Sequence, residues 1–499
     1  MISKTLYYIA LLGAIVAGYE IFRFAIKNML ITRLTRSVRR YIRQYNIKID
    51  TFKFMSRFIV KHQLMNDADI HTAILAHARE NNIDIQDVDD LVENYIDEIV
   101  PFFNLLSYYK IGYWIANFFL NKLYEVVIDR ENTSKIDKIP KDAAVVFVMN
   151  HRSNVDYVLV AYMLARNISI SYAVGEWARV WPLEYIFKSF GAYFLRRQYR
   201  EKLYHTVLEK YIQLISLQGV TQGIFIEGGL SRDGKFRDTK VGLLDYIVKI
   251  KKNPEFNREI VFVPVGINYD WVLEDRVLIQ EWKNNKERSG LRDNVSSLIR
   301  ISIRGPYIIL ANFIRYATGR LKEHGYASVS FGDPVPVSRF LKKHPDFFKL
   351  DKYARLVTIK GFADELLKDI GGVVPVTPVS LAARAIMQIG KDSFDKSAIV
   401  AAILDISREL KKHRRRFVTG RAFKTHTRIY EHLKEEKKDR QKELVSFEED
   451  FLDASEARNI ARMALDIMRR RRFVIVRKNT ITINTKYHAF IEYYSNLLS

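Results

Sequence analysis

The stretch Ala143-Ala-Val-Val-Phe-Val-Met-Asn-His-Arg-Ser-Asn-Val-Asp-Tyr157 joins an apolar run to a short polar segment that carries a histidine and a carboxylate. The apolar part predicts a buried strand, and His151 then lies at its carboxyl end, where α/β proteins meet their substrates. A turn into a helix near Asn154 would bring Asp156 under the imidazole. Its carboxylate then accepts from one ring nitrogen and leaves the other as a base. The segment therefore predicts a strand, turn and helix that can deprotonate an alcohol.

The sequence around His151 and Asp156 matches neither a serine-nucleophile motif nor a zinc-binding motif. No serine lies nearby in a Gly-x-Ser-x-Gly turn, and the spacing is not that of two zinc-binding histidines on one helix. The pair therefore favours direct attack by a substrate hydroxyl. A histidine and an aspartate at this spacing also occur together by chance, so the interpretation depends on the remainder of the chain.

Two later segments also read as apolar strands that end in polar groups, Gly191-Ala-Tyr-Phe-Leu-Arg-Arg197 and Gly223-Ile-Phe-Ile-Glu-Gly-Gly-Leu-Ser-Arg232. The carboxyl ends of parallel strands share one crevice, so a single site is expected. Its candidate residues are His151, Arg196, Arg197, Glu227, Ser231 and Arg232. Planar guanidinium groups suit a phosphate, and the amides of the turn at Gly228 and Gly229 can approach the same anion. Exposed cations on a basic protein are the alternative interpretation of each arginine.

Further apolar runs over 260–267 and 327–332 predict more strands of the same sheet. Strands that alternate with helical segments predict the α/β class, with a sheet flanked by helices. We expect a membrane-anchoring helix over 1–30, a helical region over 31–105, a catalytic domain over 106–370 and a mainly helical C-terminal domain with a hairpin over 371–499. The acidic residues between 84 and 98 indicate helices capped by aspartate, because they lack the glycine and the spacing of a calcium loop.

Four ordered blocks give the chain a resemblance to a known family. They are His151-Arg-Ser-Asn-Val-Asp-Tyr157, the Gly-Ala-x-Phe-x-Arg-Arg block, the Phe-Ile-Glu-Gly-Gly-x-Ser-Arg block and Val261-Phe-Val-Pro-Val265. In this order they resemble the motifs of membrane-bound, bacterial-type glycerol-3-phosphate acyltransferases, which dihydroxyacetone-phosphate acyltransferases share. The resemblance is dense from about Lys110 to about Trp282.

The resemblance implies a role for each matching residue. His151 would take the proton from the sn-1 hydroxyl, and Asp156 would orient the imidazole. The acceptor phosphate would meet Arg196 and Arg197, and Pro264 would shape the acyl-donor side. The acceptor site would be completed by Glu227, Gly228, Ser231 and Arg232. Neither a metal nor a cofactor is implied, and the acyl donor would be acyl-CoA or acyl-carrier protein.

One position departs from the family's pattern. The third block usually has an arginine before its serine, and this chain has Leu230 there. Lys235, Arg237 or Lys240 is a candidate replacement for the missing phosphate contact. The block is otherwise closer to the glycerol-3-phosphate enzymes than to the Phe-Pro-Glu-Gly-Thr-Arg pattern of lysophosphatidate acyltransferases. Dihydroxyacetone phosphate and lysophosphatidate stay as alternative acceptors.

Composition and charge narrow the partners without selecting one. The net charge of +23 indicates anionic partners, which include lipid headgroups, acyl-carrier protein, coenzyme A phosphates and nucleic acid. The chain has no cysteine, so disulfides, thiolate catalysis and cysteine-bound zinc are excluded.

The first residues favour attachment to a membrane. The run from Leu6 to Ala17 is apolar, but Glu20, Arg23 and Lys27 leave it shorter than the roughly 20 uncharged residues that span a bilayer. Five arginines follow between positions 33 and 43 and suit an anionic leaflet. We expect an anchoring or in-plane helix, with the main body at the cytoplasmic face of the cell's inner membrane. An ordinary core helix is the alternative.

The C-terminal region carries the main rival interpretation. Helices over 380–416 and 454–472 precede a predicted hairpin that turns at Lys478 and Asn479, which resembles a winged helix. The basic runs over 411–416 and 469–472 would give such a unit a face for nucleic acid. The four acyltransferase blocks have no place in that function, so no nucleic-acid partner is expected.

Overall fold

A mixed sheet of eight strands runs through the protein. The computed structural model describes residues 57–102, 120, 122–129, 135–136, 138–164, 170–175, 183–196, 201–287, 324–413, 415–418 and 452–498. The strands are β1 (Glu125–Ile128), β2 (Ala144–Met149), β3 (Ser171–Gly175), β4 (Tyr193–Leu195), β5 (Gln222–Phe225), β6 (Ile260–Tyr269), β7 (Tyr326–Phe331) and β8 (Val335–Pro336). Their order is β1-β7-β6-β2-β5-β3-β4, with β8 beside β6. Strands β6, β2, β5, β3 and β4 are mutually parallel. The predicted α/β class is confirmed.

The central strand β2 divides its side chains between two cores. Val145, Phe147 and Met149 belong to one hydrophobic cluster, and Val146 and Val148 belong to the cluster on the other face. A strand covered on both faces needs apolar residues at every position, which explains the uninterrupted run in the sequence.

Helices cover both faces of the sheet. The N-terminal helices are α1 (Arg57–Met65), α2 (Ala68–Asn81) and α3 (Ile85–Ile99). Asp84 caps α3, as the acidic pattern predicted, and Asp67 caps α2, which the pattern did not include. The helices between and after the strands are α4 (Asp156–Leu164), α5 (Leu183–Ser189), α6 (Lys202–Leu217), α7 (Gly242–Lys249), α8 (Asp275–Glu287), α9 (Val337–Lys343) and α10 (Lys352–Val373).

A second, smaller sheet lies in the C-terminal region. Its elements are α11 (Pro378–Ile389), β9 (Ser393–Asp395), α12 (Lys396–Lys412), α13 (Ala454–Arg470), β10 (Val474–Arg477), β11 (Thr480–Ile483) and α14 (His488–Ser495). The predicted hairpin of β10 and β11 is confirmed, and β9 pairs with β11 as a third strand. Side chains of α11, α13 and α14 join the same hydrophobic cluster as one face of the main sheet. The C-terminal elements therefore pack onto the sheet that carries the first block.

Two predictions concern the N-terminal helix and the boundary of the C-terminal domain. The anchoring helix over 1–30 lies outside the described residues. Within the described part of the chain, no helix combines the length and the apolar character needed to cross a bilayer. Near the predicted boundary at 371, α10 continues through Gly371 and Gly372 and ends at Val373.

Candidate active site

His151 is a buried residue directly after β2. Its Nδ1 lies 2.9 Å from Asp156 Oδ2, and Asp156 is the first residue of α4. The ring stacks on Phe225 with a centroid distance of 4.0 Å and meets the edge of Tyr157. The predicted turn that brings the carboxylate under the imidazole is confirmed. Because Asp156 accepts from Nδ1, the tautomer with the proton on Nδ1 is favoured, and Nε2 is the basic nitrogen.

Asp156 also holds the loop that follows the strand. Its Oδ2 accepts from the backbone amides of Arg152 and Ser153, at 2.7 and 3.0 Å. Its Oδ1 accepts from the Tyr269 hydroxyl at 2.7 Å. The carboxylate is fully buried and has four donors around it, so its position is fixed from both the loop and the end of β6. The sequence patterns did not identify Tyr269.

Glu274 is a second carboxylate that the sequence analysis missed. It accepts from the Ser153 hydroxyl at 2.7 Å and from the Asn154 amide at 3.2 Å. Desolvation raises the pKa of Glu274 to about 7, and the nearby Asp156 adds to this effect. The amides of the loop therefore donate to carboxylates and hold its shape.

Glu227 connects the first block to the third. Glu227 lies two residues after β5, the immediate neighbour of β2, so its carboxylate lies beside His151. The His151 amide donates to Oε1 at 3.0 Å, and the Arg237 amide donates to Oε2 at 2.6 Å. Burial raises the pKa of Glu227 to about 7, although both amides oppose that shift. The Glu227 carboxylate thus holds together the backbone at His151 and the backbone at Arg237.

The rest of the third block forms a tight loop. Gly228 has a φ of +63°, and a Cβ there would lie 2.7 Å from Lys240 Cγ, so only glycine fits without strain. The Ser231 amide donates to the His151 carbonyl at 3.0 Å, and its hydroxyl donates to the Lys235 carbonyl. Arg232 pairs with Glu281 on α8 at 3.1 Å. The loop therefore lies against the carboxyl end of β2. This agrees with the prediction that the first and third blocks share one crevice.

The second block lies further along the same edge. Arg196 follows β4, which stands three strands from β2, or about 14 Å by the usual strand spacing. Its guanidinium Nε contacts Glu98 of α3. Arg197 lies outside the described residues.

Pro264 has a different setting from the other candidates. It lies inside β6 opposite Val148, and its carbonyl accepts from the Gly332 amide at 2.7 Å. The structure places it within the sheet, one residue before the partner of Met149. Its contacts are with the neighbouring strands, and it does not join the polar side chains around His151.

The C-terminal segment supports the same loops. Arg152 is buried, donates to the Gly234 carbonyl at 3.0 Å and lies 4.5 Å from the centre of the Tyr493 ring. Asn496 donates to the Asp233 carbonyl at 2.8 Å. The contacts with Tyr493 and Asn496 join residues more than 250 positions apart, and no local sequence pattern predicts them. Among the described residues, no group of three or more acidic and histidine side chains is arranged to hold a metal ion.

Comparison with known proteins identifies two regions. A family model described as Acyltransferase matches residues 125–268, and a model described as Glycerol-3-phosphate acyltransferase C-terminal region matches residues 310–460. The first contains β2, β4, β5 and the four blocks. The second contains α10, which packs on one face of the main sheet, and α11 and α12, which join the hydrophobic cluster of the other face.

Several bacterial proteins named glycerol-3-phosphate acyltransferase are similar to this chain. The protein of Pseudomonas aeruginosa is 26% identical over 350 residues, which is 68% of this chain and 39% of that protein. The protein of Aeromonas hydrophila is 24% identical over 381 residues, which is 74% of this chain and 44% of that protein. The matched part therefore spans about two fifths of the length of these relatives.

A crystal structure has also been matched. It is that of a 1-acyl-sn-glycerophosphate (LPA) acyltransferase from Thermotoga maritima, with 19% identity and a TM-score of 0.29 over 53% of this chain and 79% of that one.

Proposed function

This chain belongs to the acyltransferase family and is related to the bacterial glycerol-3-phosphate acyltransferases, and from this premise we propose that it acylates the sn-1 hydroxyl of glycerol 3-phosphate. The product is lysophosphatidate, an early compound of phospholipid synthesis. The observation that carries the proposal is the buried pair of His151 and Asp156, joined at 2.9 Å at the end of β2.

The pair supports a direct transfer without an acyl-enzyme. His151 Nε2 takes the proton of the acceptor hydroxyl as its oxygen bonds to the thioester carbonyl carbon. The tetrahedral intermediate then expels the thiolate, which receives the proton from His151. Asp156 stabilises the imidazolium between the two steps because its Oδ2 accepts from Nδ1. A thioester has a good leaving group, so the chain's own side chains suffice for this route.

The acceptor fits between the polar ends of the strands. Its hydroxyl faces His151, and its phosphate lies toward Arg196, which follows β4, with Arg197 as the next residue of the second block. Arg232 and the turn at Gly228 add donors from the third block. Arg196 and Arg232 both lie beyond the carboxyl ends of parallel strands, β4 and β5, which suits a substrate that carries its phosphate a short distance from the reacting hydroxyl.

The donor and the location follow from the proposed reaction. The donor is acyl-CoA or acyl-carrier protein, and the reaction takes place at the cytoplasmic face of the inner membrane. The net charge of +23 and the apolar run over 6–17 support contact with anionic lipids.

Several arginines of the two basic runs make contacts within the protein, which argues against the nucleic-acid alternative. Arg415 contacts the Gly371 carbonyl, Arg416 lies 3.7 Å from Asp129, and Arg471 is buried against Asp275. Members of both basic runs therefore serve contacts within the protein instead of forming an uninterrupted basic face.

The proposal is tested by an acyl-transfer assay on the full chain. A labelled long-chain acyl-CoA, and separately the acyl-carrier thioester, is offered with glycerol 3-phosphate, dihydroxyacetone phosphate or lysophosphatidate. We expect labelled lysophosphatidate from glycerol 3-phosphate, and a loss of roughly 10²–10⁴-fold in kcat for His151→Ala.

His71→Ala is the matched control, because His71 is exposed on α2. Thermal unfolding of both variants checks that the protein stays folded. Transfer to another acceptor alone would replace the proposed substrate, and full activity of His151→Ala would remove the proposed base.

A further inference from the structure

The Phe225 ring covers one face of the proposed base. The centres of the Phe225 and His151 rings lie 4.0 Å apart and their planes differ by 23°, so the two rings are stacked. The Asp156 carboxylate instead accepts from Nδ1, at the rim of the imidazole. A positive charge on the imidazole therefore meets a carboxylate at its rim and an aromatic surface on its face.

The strand register accounts for this stack. Phe225 is the last residue of β5, and in the parallel pairing it lies opposite Met149, the last residue of β2. His151 follows Met149 by two residues, which is the spacing of side chains on one face of an extended chain. Met149 and Phe225 belong to the same hydrophobic cluster. The sheet therefore brings the base and the aromatic ring together on one face.

Tyr157 packs against both rings of the stack. Its ring is steeply inclined to that of Phe225, with an interplanar angle of 71° and centres 4.7 Å apart. It is nearly perpendicular to the His151 ring, whose centre lies at 5.5 Å. All three side chains are buried. Because solvent is largely excluded around these rings, an electrostatic interaction with the face of the imidazole is weakly screened.

We propose that Phe225 is a positioning residue of the acyl transfer, whose ring face stabilises the imidazolium form of His151. This inference rests on the proposed function. In that reaction Nε2 takes the proton of the acceptor hydroxyl, and the imidazole stays positive until the thiolate receives the proton. The face of a benzene ring is negative, so it attracts a cation stacked on it, and the attraction is larger where water is excluded.

The test changes the charge of the ring face and keeps its shape. In the full chain, Phe225 is replaced by phenylalanine that carries one, two or three ring fluorines, which withdraw electrons from the face stepwise. Single turnovers, with enzyme in excess over labelled acyl-CoA and with glycerol 3-phosphate at saturation, measure the chemical step. We expect the rate to fall with each fluorine, by roughly 5- to 30-fold over the series. The KM for glycerol 3-phosphate should stay unchanged.

The pH profile of kcat/KM is a second measurement on the same series. A stabilised imidazolium keeps its proton to higher pH, so the acid limb should move to lower pH as fluorines are added. The titratable and charged groups around the ring and its loop are Arg152, Asp156, Tyr157, Glu227, Tyr269 and Glu274. All of them are present in every variant, so a difference between the profiles reports the ring face.

Phe362 provides the matched control. It is also buried, and it stacks on the ring of Phe340 at 4.6 Å with an interplanar angle of 24°. The ring that it covers carries no charge at any stage of the reaction. Fluorination at Phe362 should therefore leave the rate unchanged. Thermal unfolding of Phe225→Leu and Phe362→Leu compares the loss of packing at the two positions.

The outcomes separate the inference from the function on which it rests. An inactive wild-type chain overturns the proposed function. In an active chain, a rate that does not depend on fluorination at Phe225 overturns the inference, even where Phe225→Leu is slow, because the ring then serves packing alone. Equal losses in the Phe225 and Phe362 series overturn it as well. A stepwise loss confined to Phe225, with the acid limb displaced to lower pH, supports it.

Discussion

At the scale of single residues, Asp156 shows how one side chain can serve both chemistry and local folding. It accepts from the His151 ring, from two backbone amides and from Tyr269. The loop therefore cannot keep its shape without the group that orients the base. Loss of the carboxylate charge affects all four contacts, whereas loss of the Tyr269 hydroxyl affects one.

We expect a graded series in kcat. Asp156→Asn should lower kcat by roughly 10²–10⁴-fold, because the amide cannot accept from all its donors or stabilise an imidazolium. Tyr269→Phe should lower it by about tenfold or less, the value of one hydrogen bond of about 1 kcal/mol. Steady-state kinetics with varied acceptor measures both. Equal losses of kcat in Asp156→Asn and Tyr269→Phe would contradict the expectation that the carboxylate contributes more than the Tyr269 hydroxyl.

Glu227 gives a prediction about pH. Its pKa in the folded protein is about 7, above its ordinary value of 4.5, so the folded state holds the proton more tightly than the unfolded state. Its contribution to stability therefore falls as the pH rises from about 4.5 to about 7 and is constant above that. The loss is roughly 3–4 kcal/mol. In urea unfolding between pH 5 and pH 8, the free energy of unfolding should decrease less for Glu227→Gln than for wild type. Parallel plots of this free energy against pH would contradict the conclusion that burial raises the pKa of Glu227.

At the scale of elements, the loop of the third block and helix α14 are fitted to one another. Gly234 has a φ of +89°, and a Cβ built on it would lie 1.9 Å from the Tyr493 carbonyl oxygen. The same glycine offers its own carbonyl to Arg152. The close approach of the backbones at Gly234 and Tyr493 places α14 in contact with both the first and the third block.

The glycine pair Gly234 and Gly242 tests this fit. Gly234→Ala should destabilise the protein by at least about 2 kcal/mol and lower activity, since a backbone oxygen and a left-handed conformation both oppose the methyl group. Gly242, the first residue of α7, has nothing within 4 Å of its added Cβ. Gly242→Ala should therefore be neutral or slightly stabilising. Thermal unfolding and the transfer assay give both results, and a tolerated Gly234→Ala would show that α14 can shift freely.

At the scale of the whole molecule, the C-terminal elements are joined to the site through a buried ion pair. Arg471 Nη2 lies 2.7 Å from Asp275 Oδ1, and the Tyr494 hydroxyl donates to the other oxygen at 2.6 Å. Arg471 also lies 4.2 Å from the centre of the Trp271 ring. Asp275 begins α8, next to Glu274, which holds the loop after His151. The ion pair therefore connects the C-terminal hairpin to the catalytic loop.

We expect Arg471→Leu to cost about 3–5 kcal/mol, because it leaves the Asp275 carboxylate buried without its cation. Arg469→Leu is the control, since Arg469 is exposed and its pair with Asp466 should contribute less than about 1 kcal/mol. The double variant Arg471→Leu, Asp275→Leu should be more stable than Arg471→Leu alone. Urea unfolding measures all three, and equal stabilities of the two arginine variants would contradict a structural role for the buried pair.

The sequence by itself determined the features that depend on neighbours along the chain. Apolar runs predict strands, and aspartate at 84 predicts a helix start, because these signals act within a few residues. The same holds for His151 and Asp156, whose contact needs only one turn. The order of polar strand ends then predicted a common crevice, because parallel strands finish at one edge.

Only the tertiary structure decided which distant groups hold that crevice in shape. Glu98 accepts from Arg196, Glu274 accepts from the Ser153 hydroxyl, and Arg237 donates to the Leu230 carbonyl. Such contacts join segments that have no common period or spacing, and each depends on how far two backbones approach when the cores pack. His151 and Asp156 therefore lie in one short segment of the sequence, whereas the contacts that hold them in place depend on the complete fold.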